Sequence, residues 1–224
     1  MSDLSKIDNV NGVPIYQVKG EPPSFLFRAG YAIDADGAPD CYNADNTGID
    51  WTENGGTPGG NWWGGPVDSE DQPLQQKIYD PCPGYYVSGT AHCNPAYAES
   101  SPYRYLDSNC IPFFVLPNKH SCGAQLGDVG LVYNQKNGEN CYAIYGDIGP
   151  SDKIGEGSIR LAQALAIPSN PKTGGTESRM IAYVVFPGSV ARWVPPADWF
   201  AYANKLFRSW GGLSRLINLL EEFP

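Results

Sequence analysis

The sequence predicts a mainly β domain: a barrel of short strands with long loops, one inserted helix and a C-terminal helical tail. Three observations carry that expectation. The 224 residues include 26 Gly and 20 Pro but are only 17% charged, a composition of dense turns rather than of a helical bundle. Short apolar runs recur at 25–33, 85–89, 111–116, 129–133, 142–145 and 180–186, bounded by Gly, Pro, Asn or Asp. Fourteen Tyr and six Trp add an aromatic surface or groove, which together with Asn and Asp suits carbohydrate. Aromatic faces cover the C–H faces of sugar rings, while amides and carboxylates bond the hydroxyls.

In chain order, residues 1–24 are polar and end at Pro22-Pro23, which reads as an N-terminal arm. Residues 25–190 carry the barrel and residues 191–224 the tail. The first run is expected to turn at Asp34-Ala-Asp-Gly37 and return through Cys41-Tyr42 as a hairpin. Residues 43–83 form a long Gly/Asn/Asp/Pro segment containing Gly59-Gly-Asn-Trp-Trp-Gly-Gly65, and loops of that length inside a compact domain tend to be functional. Asn137-Gly138 marks a hairpin between the fourth and fifth runs. Ile159, Leu161, Ala162 and Leu165 follow Ser158 at helical spacing, a helix inserted before the last strand of a meandering barrel. Residues 198–223 read as two amphipathic pieces broken at Gly211-Gly212 and packed on the barrel.

Formal charge is −9, and residues 1–110 hold fifteen acids against five bases. Nucleic acid as partner is excluded by the lack of clustered Lys and Arg. An acidic half fits a cationic partner and equally fits plain solubility. Six cysteines in no Cys-x-x-Cys arrangement argue against a zinc ribbon and for disulfides in an oxidising compartment, with Cys82–Cys93 and Cys122–Cys141 the favoured local loops. That tilts the expectation toward secretion with a leader absent from this sequence, cytoplasmic residence being the alternative. His92-Cys93 and His120-x-Cys122 read as incidental rather than as metal ligands. No run of about 18 apolar residues exists to span a membrane.

The chemistry concentrates between Tyr145 and Leu165. Asp147 ends an apolar run just before Gly149-Pro150, and Glu156 stands between Gly155 and Gly157 ahead of the helix. Two carboxylates flanking one glycine-rich loop on a sheet rim can divide glycosidic hydrolysis between an acid and a base. Each residue also has a purely local use, Asp147 in bonding its own turn and Glu156 in serving a helix start.

The segments Ala32-Ile-Asp-Ala-Asp-Gly37, Pro58-Gly-Gly-Asn-Trp-Trp-Gly64, Pro83-Gly-Tyr-Tyr-Val-Ser88, Gly146-Asp-Ile-Gly-Pro150, Gly155-Glu-Gly-Ser158 and Val184-Val-Phe-Pro-Gly188, in this order, resemble glycoside hydrolase family 75, the chitosanases. The likeness runs from about residue 25 to 190, and the barrel it implies is a six-stranded double-psi-like one. It further implies endo-hydrolysis of β-1,4-linked glucosamine in chitosan, with inversion and without metal or organic cofactor; a monomer is expected. On this resemblance Glu156 is the general acid and Asp147 the general base, with exchanged roles as the first alternative. Asp34 and Asp36 are implied sugar-binding or turn-forming residues. Trp63 and Tyr133 are candidates for stacking on sugar, although Trp62-Trp63 could instead anchor the long loop. A peptidoglycan lytic transglycosylase on the same barrel would dispense with Glu156, and an expansin-like binding module would show no turnover.

Overall fold

The computed structural model describes residues 3–189 and 196–223. Residues 190–195, where the sequence reading begins the tail, lie outside the described residues. The segment expected as an arm is a β-hairpin instead: β1 (Leu4–Val10) pairs antiparallel with β2 (Val13–Val18). Asn11 and Gly12 both take positive φ, 45° and 80°, the conformation that a two-residue hairpin turn of this handedness demands. β2 lies against the first half of β3 (Ser24–Asp34), so the hairpin extends the main sheet.

Five more strands complete the barrel: β4 (Phe113–Pro117), β5 (Val129–Asn134), β6 (Asn140–Gly149), β7 (Glu156–Ser158) and β8 (Thr176–Val185). Their order is β3-β7-β4-β6-β5-β8, and β8 pairs back on β3 to close the ring. Closure leaves no edge within the ring. The barrel is not a meander, because β3 pairs with β7 and β4 with β6 in parallel, pairings that need crossover connections. The β5–β6 hairpin turns at Asn137-Gly138 as the sequence indicates.

Two predicted features do not form. After β3 the chain makes no return strand; the Asp36 N–H bonds to Asp34 Oδ1 at 2.8 Å, turning the backbone, and Cys41 and Tyr42 enter a small buried cluster with Ala35, Ala38, Tyr86 and Ile159. Residues 85–89 are apolar yet carry no ladder. Their N–H groups bond to three separate segments, Tyr86 to Tyr42, Val87 to Leu74 and Gly89 to Gly64, so no single partner strand exists.

Side chains alternate along the strands between two cores. Phe27, Tyr31, Phe114, Tyr145 and Tyr183 form one, in which Phe27 and Tyr183 stack at 4.6 Å. Leu26, Val115, Leu131, Ile144 and Val184 form the other, together with Trp199, Phe207, Trp210 and Leu216 of the tail helices α2 (Pro196–Trp210) and α3 (Gly212–Glu221). α1 (Ile159–Ala164) follows β7 directly, its start fixed by Ser158 Oγ, which accepts from the Leu161 N–H at 3.1 Å. All six cysteines are free thiols, so neither favoured disulfide is present. His120 Nδ1 lies 2.9 Å from Asp8 Oδ2, tying the loop after β4 to β1.

Candidate active site

A cleft of about 710 Å³ opens beside the strands β3, β7, β4 and β6. The β registry explains which side chains enter it. Val115 on β4 is paired with Asp147 on one side and with Glu156 on the other, so the two carboxylates flank it on the same face. Two strand spacings separate their backbones, roughly 10 Å. Ala32 on β3 pairs with Glu156, and Asp34 follows two residues later on that face. The carboxylates therefore share one rim even though the chain carries them on separate strands.

Each acid is held differently. Asp147 is 9% exposed, and its Oδ1 accepts the N–H groups of Ala91 and Ile148, both at 2.8 Å. Ala91 reaches it because the loop that carries it is pinned by the His92 N–H on the Gly146 carbonyl at 3.0 Å. Burial pushes the Asp147 carboxyl up to about 7; those two N–H bonds oppose the shift and the neighbouring Glu156 adds to it. Asp36 Oδ1 accepts from Tyr42 Oη at 2.8 Å and Ser88 Oγ at 3.3 Å. Burial first, and then neighbouring carboxylates, raise Asp34 and Asp36 well above the usual range. Glu156 instead meets the Lys153 ammonium at 3.2 Å, and Gly155 (φ 95°) sets it there, because a Cβ on that glycine would lie 2.6 Å from Ala29 Cβ.

The raised Asp147 couples stability to pH with a definite sign. A carboxyl that holds its proton more tightly folded than unfolded stabilises fully below the unfolded value, near 4, and that contribution disappears as pH rises through about 7. Asp147→Asn is therefore expected to gain in melting temperature relative to the wild type between pH 4 and 8. Equal slopes of melting temperature against pH for the two proteins would contradict the buried proton.

Asp34, Asp36 and Asp147 each offer an oxygen within 4.8 Å of the others. Oxygen ligands alone would suit a hard cation; burial raises all three carboxyls, and at this spacing they can also share protons. A shared-proton network is the simpler chemistry of this cluster.

Sequence-predicted residues separate cleanly. Asp34, Asp36, Asp147, Glu156 and Trp63 all line the cleft. Trp63 is 61% exposed with its indole N–H on the Asn54 carbonyl at 2.9 Å, a fixed platform at the rim. Trp62 is the anchor, packed edge-on against Tyr42 and Tyr86. Tyr133 is not at the site: on β5 it packs against the core cluster that receives the tail. Asp50, Asn54, Asn118, Lys153 and Glu177 also line the cleft and were not singled out in the sequence. Asp50 and Asn54 share one loop, where the Asn54 amide donates to Asp50 Oδ1 at 2.9 Å, and Lys153 precedes Glu156 by three residues; Asn118 and Glu177 come from elsewhere in the chain.

Gly149 marks the space between the two carboxylates. A Cβ there would stand 3.0 Å from Val115 Cγ1 and 3.6 Å from Glu156 Oε2. Gly149→Ala is expected to cut turnover on the order of ten- to a hundredfold by displacing Glu156 or whatever lies beside it. Unchanged turnover in a folded variant would show that this space is not used.

An acidic groove with an aromatic platform on the rim of a closed barrel is the equipment of a polysaccharide-cleaving enzyme. A family description of fungal chitosanases of glycosyl hydrolase group 75 matches residues 32–214, and the chain belongs to that family. It is a glycoside hydrolase of the chitosanase type. The match includes α2 and the start of α3, beyond the span of the sequence resemblance. No curated protein matches the chain significantly. Among the described residues no helix is long and apolar enough to cross a membrane.

Proposed function

We propose that this enzyme is an endo-acting chitosanase that hydrolyses β-1,4 bonds between glucosamine units with inversion at the anomeric carbon, using Asp147 and Glu156. The observation that carries this reading is the pairing of Val115 with both residues. A one-strand gap between carboxylates on one face leaves room for the water that an inverting pair requires, at carboxyl separations of about 6.5–9.5 Å.

The surroundings of the two groups favour the exchanged assignment over the expected one. Asp147, raised to about 7, holds a proton that it can give to the leaving oxygen, and with Oδ1 committed to two N–H groups the proton resides on Oδ2. Glu156 lines the cleft on the other side of Val115, 3.2 Å from the Lys153 ammonium, where its carboxylate can take a proton from water. Asp34 and Asp36 lie close enough to Asp147 to exchange protons with it. Glu177 and Asp50 are placed to meet the ammonium groups of the polymer, and Trp63 covers a ring face.

The test is reducing-end release from soluble chitosan against chitin, carboxymethylcellulose and peptidoglycan, with the anomer of the first product followed by NMR. Cleavage of chitosan to the inverted anomer is the expected result. The retained anomer would defeat the two-carboxylate water mechanism, and cleavage confined to peptidoglycan would defeat the substrate assignment.

A further inference from the structure

The cleft does not end at Glu156. A second pocket of about 230 Å³ continues it, sharing Tyr31, Ala32, Lys153, Thr176 and Glu177 with the main cavity. Its far wall is the β1–β2 turn, held by Arg179 of β8, whose Nη1 donates to the Gly12 carbonyl at 2.7 Å. The groove thus runs from the catalytic carboxylates past Lys153 to the N-terminal hairpin.

Charge changes along that path. The main cleft is lined by Asp34, Asp36, Asp50, Asp147, Glu156 and Glu177 against the single cation Lys153. Burial raises Asp34 and Asp36, but Asp50, Glu156 and Glu177 still outnumber Lys153, so the cleft favours an ammonium group. In the outer pocket Asp152 and Glu177 are balanced by Lys153 and Arg179, so a cationic sugar gains nothing there and meets a guanidinium on the wall. Ile154, backed by the buried Val10 and Val13, supplies apolar surface and Asn11 an amide, the partners that an N-acetyl group needs for its methyl and its carbonyl.

On the strength of the chitosanase reading, we propose that the outer pocket is a distal subsite selective for N-acetylglucosamine, with Arg179 as its specificity-determining residue. The enzyme then demands glucosamine at the cleaved bond and accepts or prefers an acetylated unit at one fixed distance from it. Partially acetylated chitosan is the substrate class that satisfies both ends of the groove.

The experiment digests partially acetylated chitosan with wild type, Arg179→Glu and Arg179→Gln, tags the new reducing ends and sequences the oligomers by mass spectrometry. Wild-type products should carry N-acetylglucosamine enriched several-fold at one position remote from the cleaved bond. Arg179→Glu should bring that position down to the average composition of the polymer or invert it toward glucosamine, and Arg179→Gln should fall between. The hairpin stays seated in both variants because β1 pairs with β2 and β2 with β3 through the backbone, which an unchanged melting temperature checks. Random acetylation at every remote position, or an enrichment that Arg179→Glu leaves intact, overturns the subsite while leaving chitosan hydrolysis standing. A wild type that cleaves no chitosan overturns both readings.

Discussion

Glu156→Gln and Asp147→Asn are each expected to lose about 10²–10⁴-fold in kcat on chitosan while remaining folded, the range that removal of a general acid or base costs. The two losses should not multiply, because the groups act on one transition state. What separates their roles is the leaving group. An aryl glycoside of a glucosamine oligomer departs without protonation, so the variant lacking the acid recovers most of its activity on it and the variant lacking the base does not. With Asp147 as donor, Asp147→Asn is the one rescued. Rescue of Glu156→Gln instead would restore the original assignment. The pH profile gives a second reading: with Asp147 raised to about 7, kcat/KM on a short soluble oligomer should fall as pH rises through that value and the donor loses its proton. An activity that increases across pH 7 would mean that Asp147 works as the base.

Local chemistry in the sequence carried as far as local interactions reach. Asn137-Gly138 and Ser158 state a turn and a cap in two or three residues, and both are realised. Asp147 and Glu156 stand out because glycines isolate each of them, and the fold brings both to one rim. The barrel closure is a different kind of fact. β7 is only three residues long, too short to leave a pattern, yet it joins β3 to β4, and its parallel pairing with β3 depends on a crossover of more than a hundred residues. β1 was passed over because only its ends are buried, so it reads as polar; Asn11-Gly12 was the available signal. Tyr133 failed for a related reason, since an aromatic residue on a strand does not declare which face it takes until the register is known. Lys153 stands only three residues before Glu156, but Asp50 and Glu177 enter the cleft from a loop and a strand remote in sequence, and only the assembled ring brings them together.

Trp210→Ala is expected to cost about 3–5 kcal/mol, a fall in melting temperature of roughly 6–20 °C for a chain of this size. Trp210 is 1% exposed, with barrel residues on one side and tail residues on the other. Its indole N–H donates to Ser24 Oγ at 2.8 Å, at the first residue of β3. Its ring lies edge-on to Phe186 at 6.0 Å and stacks with Phe207 at 5.6 Å. The Arg215 guanidinium sits 4.8 Å above it while also bonding the carbonyls of Trp210 and Lys19. Removing the ring empties the centre of that contact and leaves the buried Ser24 hydroxyl without its donor, two penalties that add. Trp210→Phe separates them: it keeps most of the apolar contact and forfeits the hydrogen bond, so its cost should be nearer 1–2 kcal/mol plus a small cavity term. Among the described residues none of α2 or α3 lines the cleft, so kcat measured well below the melting temperature should stay at the wild-type level in both variants. A Trp210→Ala protein that melts with the wild type would mean that the tail is not coupled to the folding of the barrel. One that keeps its melting temperature but loses kcat would mean that the tail communicates with the site by a route outside these contacts.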